Sequence, residues 1–431
     1  MDFLEQFLHN PIKYSIPVFF LLIGIELLVD RRRKLHLYRF NDAITNLSCG
    51  IGQQVIGIFM KVFTVGAYAW LYEFSPFKGQ IPTTWWSVLL LFIGVDFFYY
   101  WFHRLAHEIA VLWGSHVVHH QSEEYNLTVA VRQAWLQGAF SWVFYLPLAL
   151  LGFEPLLFVS IAGFQTLYQF WIHTKTIGKL PAPIEFIFNT PSHHRVHHGV
   201  NPKYIDRNHG GTLIIFDRMF GTFQAEEEKV VYGITKPANS WNPLWVNFEY
   251  WLGLFKDALT ADRWSDKARI LFKQPGWYPD ALGGVQQPKE VTPETFHKYN
   301  TRTPRGLNRY VLLHFALLLP ATIAFLFKFK DFSFGMNVGL TGLIIFTLVN
   351  LGGILEGKRW VFTMEIVRLL ALTSAIGMLM QGNPLFLPAV FTLLLLVIAS
   401  VIWLGRYRWM LTDRQEKPGR LVGEKERVQK S

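Results

Sequence analysis

A single cysteine, Cys49, stands in 431 residues, so no disulfide can close within the chain and no zinc site built on several thiolates is available. Charge is scarce as well, at 17% of residues against about 25% in an ordinary soluble domain. With 51% hydrophobic residues, 38 Phe and 16 Trp, the chain excludes intrinsic disorder and carries more apolar surface than a soluble core of this size could bury. The start, Met1-Asp2-Phe3-Leu4-Glu5, lacks a basic segment and no small-residue cleavage site follows the first apolar run, so the amino end reads as retained. There is no internal repeat, low-complexity tract, lipidation motif or terminal retrieval signal for the endoplasmic reticulum. Lys plus Arg outnumber Asp plus Glu by 41 to 31, a net charge of +10. These cations gather at the ends of apolar runs without a basic-aromatic stripe, which points to topology and anionic lipid and away from nucleic acid.

The apolar runs predict an all-α integral membrane protein, a polytopic helical bundle. A first span over about Tyr14 to Val29 is stopped by Asp30-Arg31-Arg32-Arg33-Lys34, whose cations mark the cytoplasmic side. Ala43 to about Phe74 contains Asn46, Gln53, Gln54 and Lys61 and is either one tilted span or a re-entrant pair. Counted once, it lets a third span, Trp85 to Trp101, return to the cytoplasm. Trp135 to Phe153 and Pro155 to Ile172 then form a hydrophobic hairpin turned at Gly152-Phe153-Glu154-Pro155, which brings His173 back to the same face. The polar stretch from about Thr174 to Arg309 is expected to be a cytoplasmic insertion facing the membrane. Within it, Trp241, Trp245, Phe248, Tyr250, Trp251, Leu252 and Phe255 suggest a helix lying in the interface or packed as a soluble helix would be. Four further spans fit about Tyr310 to Phe327, Asn337 to Leu355, Trp360 to Met380 and Leu385 to Leu404, with few polar residues in them. The organisation is thus a membrane region with a histidine-rich cytoplasmic cap over 1–309, a C-terminal four-helix membrane module over 310–405, and a basic cytoplasmic tail over 406–431. Asn126-Leu127-Thr128 fits the glycosylation pattern, but this topology puts it on the wrong side of the membrane.

What the chain does have is 15 His, nine of them in three strings: His103-Arg104-Leu105-Ala106-His107, His116-Val117-Val118-His119-His120 and His193-His194-Arg195-Val196-His197-His198. Helical spacing of three and four aims His103 with His107, His116 with His119 and His120, and His194 with His197 and His198 each toward a common side. Eight nitrogen ligands exceed what one ion can use, since zinc takes four and a non-haem iron centre keeps positions open for oxygen and substrate, so two metals are implied. His173, at the end of a span, is a ninth candidate. His193 and His209 are left open between ligand and hydrogen-bonding roles, while the isolated His9, His36, His297 and His314 read as ordinary amphipathic residues. Asp96, Glu108, Glu123 and Glu124 are candidate acceptors that would orient ring N–H groups. Arg104 and Arg195 suit positions behind the ligands, because a permanent cation beside metal ions needs an intervening carboxylate or lipid phosphate.

At these residues the chain resembles the fatty acid hydroxylase and sterol desaturase superfamily of membrane diiron oxygenases. The mark of that superfamily is the set His-x-x-x-His, His-x-x-His-His and His-x-x-His-His. A nearer likeness, to the alkylglycerol monooxygenase family within it, rests on Ser122-Glu123-Glu124-Tyr125-Asn126-Leu127, on Leu167-Tyr168-Gln169-Phe170-Trp171-Ile172-His173-Thr174, and on Asn189-Thr190-Pro191-Ser192-His193-His194-Arg195-Val196-His197-His198-Gly199. The block of extra spans after the His strings is similar too. In Asn208-His209-Gly210-Gly211 the chain departs from the family, where an aromatic such as Tyr is expected at position 209.

The resemblance implies two iron ions on His103, His107, His116, His119, His120, His194, His197 and His198, with His173 added. It implies oxidation of the ether-bearing alkyl carbon of a glycerol ether lipid, dioxygen as co-substrate, tetrahydrobiopterin as the electron donor and Glu108 as the pterin-related acid. The basic blocks and the parity of the spans put the active site on the cytoplasmic face, in the endoplasmic reticulum of a eukaryote or the inner membrane of a bacterium. Holding the reacting carbon near the metals and the head group at the surface calls for an apolar slot between spans three, four and five. Two alternatives stay open. One is a sterol or fatty-acyl hydroxylase or desaturase of the same superfamily, and the other a zinc-dependent membrane hydrolase or metal transporter.

Overall fold

The computed structural model describes residues 11–287, 290–292 and 295–411; His9 and most of the basic tail lie outside the described residues. Helices make the fold, and among the described residues the only β pairing is two isolated bridges, Phe188 with Leu213 and Gly199 with Tyr232. Among the described residues, six helices are long and apolar enough to cross a membrane, so the chain is a multi-pass membrane protein. It divides into two units, the first running to Ala238 and resuming over Pro243–Phe296, the second comprising Asn239–Asn242 and the chain from His297 onward.

In the first unit, α1 (Pro11–Arg33), α2 (Phe40–Tyr72), α3 (Trp85–Glu108) and α4 (Pro155–Trp171) are the long elements. The run that read as one tilted span or a re-entrant pair is one helix, α2, of 33 residues. Its polar residues gather at the start, where Asn46 Nδ2 donates to Asp42 Oδ2 at 3.0 Å and to Thr128 Oγ1 at 3.1 Å. A capping box starts α3, in which Ser87 Oγ accepts from Thr84 N at 2.9 Å, and the extended backbone of Ile109 ends it just after His107 and Glu108. Helices α1 and α4 pack together through Phe19 stacked on Phe170 at 4.3 Å. Neither is among the six candidate spans, and the 17 residues of α4 cover about 26 Å against a hydrocarbon core of about 30 Å. Glu26, the charge in α1, is buried because Leu127 N, Thr174 and Tyr38 all donate to it.

The span expected over Trp135 to Phe153 does not form as one helix. It breaks into Gln137–Ser141, a 3-10 turn at Trp142–Tyr145 and Leu146–Leu150. Pro147, lacking an N–H, can only open a new helical piece. Trp135 is held sideways by its amide to Asn247 Oδ1 at 2.8 Å and its indole to the Cys49 carbonyl at 3.1 Å. Asn126 is fully buried and caps the turn Leu127–Ala130, so the glycosylation pattern there is structural.

The first unit also contains α5 (Pro191–His197) and α6 (Pro243–Thr260). The latter buries Val246, Trp251, Leu254 and Ala258 yet leaves Trp245, Leu252, Phe255 and Leu259 exposed, so it is packed on one side and apolar on the other. Trp241 is not on it. That residue belongs to the second unit, where its indole donates to Thr301 Oγ1 at 2.8 Å.

The second unit is built from α7 (Arg305–Lys328), α8 (Phe334–Leu355), α9 (Val361–Leu379) and α10 (Phe386–Gly405), joined by short turns as in an up-and-down bundle. The expectation of few polar residues in these spans overlooked Glu365 and Arg368, one helical turn apart and each 1% exposed. Arg368 Nε donates to Glu365 Oε2 at 2.7 Å, Tyr310 and Asn350 donate to the same carboxylate, and His314 lies between Arg368 Nη2 at 3.2 Å and Ser400 Oγ at 3.4 Å. All four helices contribute to this network. His314, expected to be an isolated amphipathic residue, is part of it, whereas His36 and His297 are exposed.

Candidate metal centre

The His strings meet because three helix ends and one helical turn converge. The last turn of α3 carries His103 and His107 on one face. Val117–His120 is a single turn preceded by His116, His173 follows α4 by two residues, and α5 opens on Pro191 and ends with His198 as its cap. These nine imidazoles sort into two groups, His103, His107, His116, His120 and His197 in one, His119, His173, His194 and His198 in the other. Within each, one ligand nitrogen per residue lies within 4.8 Å of all the others. Chain neighbours are therefore divided between groups, His119 from His120 and His197 from His198, because successive helical side chains diverge by about 100°.

Hydrogen bonds fix the rings. His103 Nδ1 donates to the His209 carbonyl at 2.7 Å, His119 Nδ1 to the Arg132 carbonyl at 2.8 Å, His173 Nδ1 to the Gln169 carbonyl at 2.7 Å and His197 Nδ1 to the Arg207 carbonyl at 3.0 Å. A neutral imidazole that spends its proton on Nδ1 presents a bare lone pair at Nε2. His119 Nε2 and His173 Nε2 nevertheless sit 3.1 Å apart. Two lone pairs at that distance repel unless a cation lies between them. Adjacent nitrogens at right angles about an ion, each about 2.1 Å from it, would be about 3.0 Å apart. Nε2 of His107, His197 and His198 is buried with no hydrogen-bond partner. The residues present therefore fit metal ions, and the donor set is neutral nitrogen throughout.

Burial holds His116, His120, His194, His197 and His198 well below the usual imidazole range, and His119 at about 4. Neutral rings are the metal-binding form. Such groups take up a proton on unfolding, so their stabilisation is complete above the unfolded value of about 6.5 and is lost as pH falls from there through the folded value. We expect the metal-free protein to lose stability progressively as pH falls below about 6.5. Thermal unfolding in detergent between pH 7.5 and 5 checks this, and a midpoint indifferent to acid would refute it.

The acids expected to orient the rings mostly do something else. Glu123 and Glu124 pair with Arg39, at 2.9 and 2.6 Å. Asp96 accepts from Thr212 N at 2.7 Å, from Leu213 N at 2.8 Å and from Gln165, anchoring the loop that follows His209. That approach needs glycine, since a Cβ on Gly211 would lie 2.7 Å from Asp96 Oδ1. Backbone carbonyls replace the expected carboxylates because the loops wrap closely enough to supply them. His107 alone in the first group meets an acid, Asp206, at 3.3 Å. Glu108 is partly exposed and pairs with Arg104, Nε to Oε1 at 2.8 Å. Arg195 lies behind the ligands as expected, held by Glu226 at 2.7 Å and by the Thr174 and Ile177 carbonyls.

His193 turns away from both groups, its Nε2 2.9 Å from Glu185 Oε2. His209 is fully buried beside the first group. Two supports went unread in the sequence. Arg132 donates to the Val118 carbonyl at 2.6 Å while its own carbonyl accepts from His119, and Asp217 accepts from the amides of His209 and Gly210 at 2.7 Å each. An acid at the end of the apolar run Leu213-Ile214-Ile215-Phe216 was the available signal for the second.

The fatty acid hydroxylase family model matches residues 88–222, a range that contains every member of both groups. Among curated proteins, alkylglycerol monooxygenase of Xenopus tropicalis is 40% identical over 82% of this chain and 79% of its own length. The human enzyme of that name is 38% identical over 83% of this chain and 81% of its own, and that of Danio rerio 36% over 94% and 91%. No solved structure matches the chain. With His-bearing helix ends converging below apolar spans and likeness to these relatives extending over most of its length, the chain belongs to the alkylglycerol monooxygenase family, membrane oxidoreductases built on a fatty acid hydroxylase domain.

Proposed function

We propose that the chain is a diiron monooxygenase that hydroxylates the ether-bearing alkyl carbon of glycerol ether lipids. The observation that carries this is the donor set, nine buried imidazoles in groups of five and four with no thiolate or carboxylate among them. Five imidazoles exceed the four of a closed zinc site and suit iron. One ion would be held by His103, His107, His116, His120 and His197, the other by His119, His173, His194 and His198. Bound iron would supply the oxidant for a strong C–H bond, chemistry that acid-base side chains cannot supply. One atom of dioxygen enters that bond and the other leaves as water, with two electrons and two protons from the donor. The resulting hemiacetal breaks at its ether C–O bond, giving a fatty aldehyde and a free glycerol hydroxyl.

The protein's part is to hold the rings in one tautomer, keep water out and seat the lipid. Gln137, on the broken apolar segment, reaches to 3.5 Å from His116 Nδ1, so that segment closes against the five-imidazole group. Glu108, partly exposed at the end of α3, is suited to a polar reductant arriving from solution, which supports its assignment to tetrahydrobiopterin. The basic block at Arg31-Arg32-Arg33 supports a cytoplasmic position for this side, in the endoplasmic reticulum or a bacterial inner membrane. The outward face of α6, with Trp245, Leu252, Phe255 and Leu259, then lies against the membrane surface.

Membranes carrying the chain, given an alkylglycerol and tetrahydrobiopterin under ¹⁸O₂ with immediate reduction of the aldehyde, are expected to yield labelled fatty alcohol. Turnover of sterol or fatty acyl lipid instead would reassign the substrate, and product formed without oxygen would move the chain to the hydrolases.

A further inference from the structure

The side chain of His209 is fully buried, and although the ring reaches the Asp206 backbone, neither Nδ1 nor Nε2 makes a hydrogen bond of good geometry among the described residues. A neutral imidazole carries one N–H and one lone pair, and leaving either unmet in the interior is strongly unfavourable. The ring is packed 5.1 Å from His107, 5.7 Å from His103, 5.7 Å from His197 and 6.3 Å from Tyr100, centre to centre. It faces the five-imidazole group without belonging to it, since its nitrogens fall outside the set that lies within 4.8 Å of one another.

The backbone holds this residue in place deliberately. Asn208 is in the left-handed region, φ 58°, which a non-glycine residue keeps only when its surroundings enforce it. Its amide nitrogen donates to the carbonyls of His193 at 3.0 Å and Gln224 at 2.7 Å. Asp217 grips the His209 amide at 2.7 Å, and the His209 carbonyl accepts from His103 Nδ1 at 2.7 Å. So much anchoring for an imidazole without a well-formed hydrogen bond indicates a partner that arrives with the ion.

We propose that His209 is a positioning residue that would hydrogen-bond a small exogenous ligand, such as water, held by an ion in the five-imidazole group. This rests on the metal reading above. The ligand supplies the well-formed contact that one ring nitrogen lacks, and the ring fixes the direction from which that ligand approaches.

Azide is the probe. The purified full chain, wild type, His209→Phe and His209→Ala, is loaded with iron and oxidised, iron per chain is measured, and azide is titrated by its charge-transfer absorption. Both variants are expected to keep the wild-type iron content, to bind azide about tenfold more weakly, the worth of one hydrogen bond of about 1.4 kcal/mol, and His209→Ala to regain affinity when imidazole is added. Azide affinity within twofold of wild type in either variant, or no rescue by imidazole, overturns the proposal, and so does loss of one iron, which would make His209 a direct ligand. A wild-type chain that binds no iron removes the metal reading itself, a result distinct from these.

Discussion

Replacing His197 by alanine is expected to empty the five-imidazole group of its ion and to abolish monooxygenase turnover. His197 is 3% exposed, its Nδ1 is committed to the Arg207 carbonyl, and its Nε2 has no protein partner. Removing that lone pair leaves four rings and a void at the position where a ligand nitrogen stood. The loss should exceed the 10–100-fold in affinity that follows when only an outer hydrogen-bond partner is removed. His194→Ala should act on the four-imidazole group in the same way. In each variant, iron per chain falls from about two toward one or less. His193→Ala supplies the contrast within the same helix, since that ring pairs with Glu185 and faces neither group, and it should keep its iron. Iron analysis of the three purified variants decides the matter. Wild-type iron and turnover in His197→Ala would dismiss the assignment.

The second large effect is expected on the C-terminal bundle. Arg368→Ala strands the buried Glu365 carboxylate with only Tyr310 and Asn350 as donors. Breaking one side of a buried ion pair typically costs about 3–5 kcal/mol, and the cost arises from the charge left behind. Exchanging both partners, Glu365→Leu with Arg368→Met, should recover most of that stability because no buried charge remains. Denaturant unfolding of the purified protein in detergent, followed by a probe placed in the second unit, measures the difference. A single variant as stable as wild type would show the pair to be reached by water.

Much of the site was legible in the sequence because its chemistry is dense there. His-x-x-His-His, twice, names six of the nine rings with little ambiguity, and His103 with His107 needed only helical spacing. His173 followed from its place at the end of an apolar run. What could not be read was the division into groups. Neighbouring rings look alike in a string of letters, and only the backbone path assigns His119 and His120 to opposite sides. The orienting groups were misread for a related reason, since carbonyls leave no trace in composition and carboxylates draw the eye. Asp96, Glu123 and Glu124 are acids near the rings in sequence, yet they serve loop amides and Arg39. The spans show the same limit. Hydropathy found Trp135 to Phe153, but side-chain bonds to Asn247 and Cys49 and the proline at 147 turned that run into three short pieces. Glu365 and Arg368 were missed because two opposite charges hardly change the average over a long apolar window.

The splitting of His119 from His120 and of His197 from His198 carries a mechanical consequence. Because each chamber borrows one of two consecutive peptides, the gap between the chambers is a property of the peptide unit, a ruler that no exchange of surrounding side chains can recalibrate. Widening that gap would require unwinding a helical turn, so the spacing between the occupants should survive substitutions that alter which lipid the enzyme accepts.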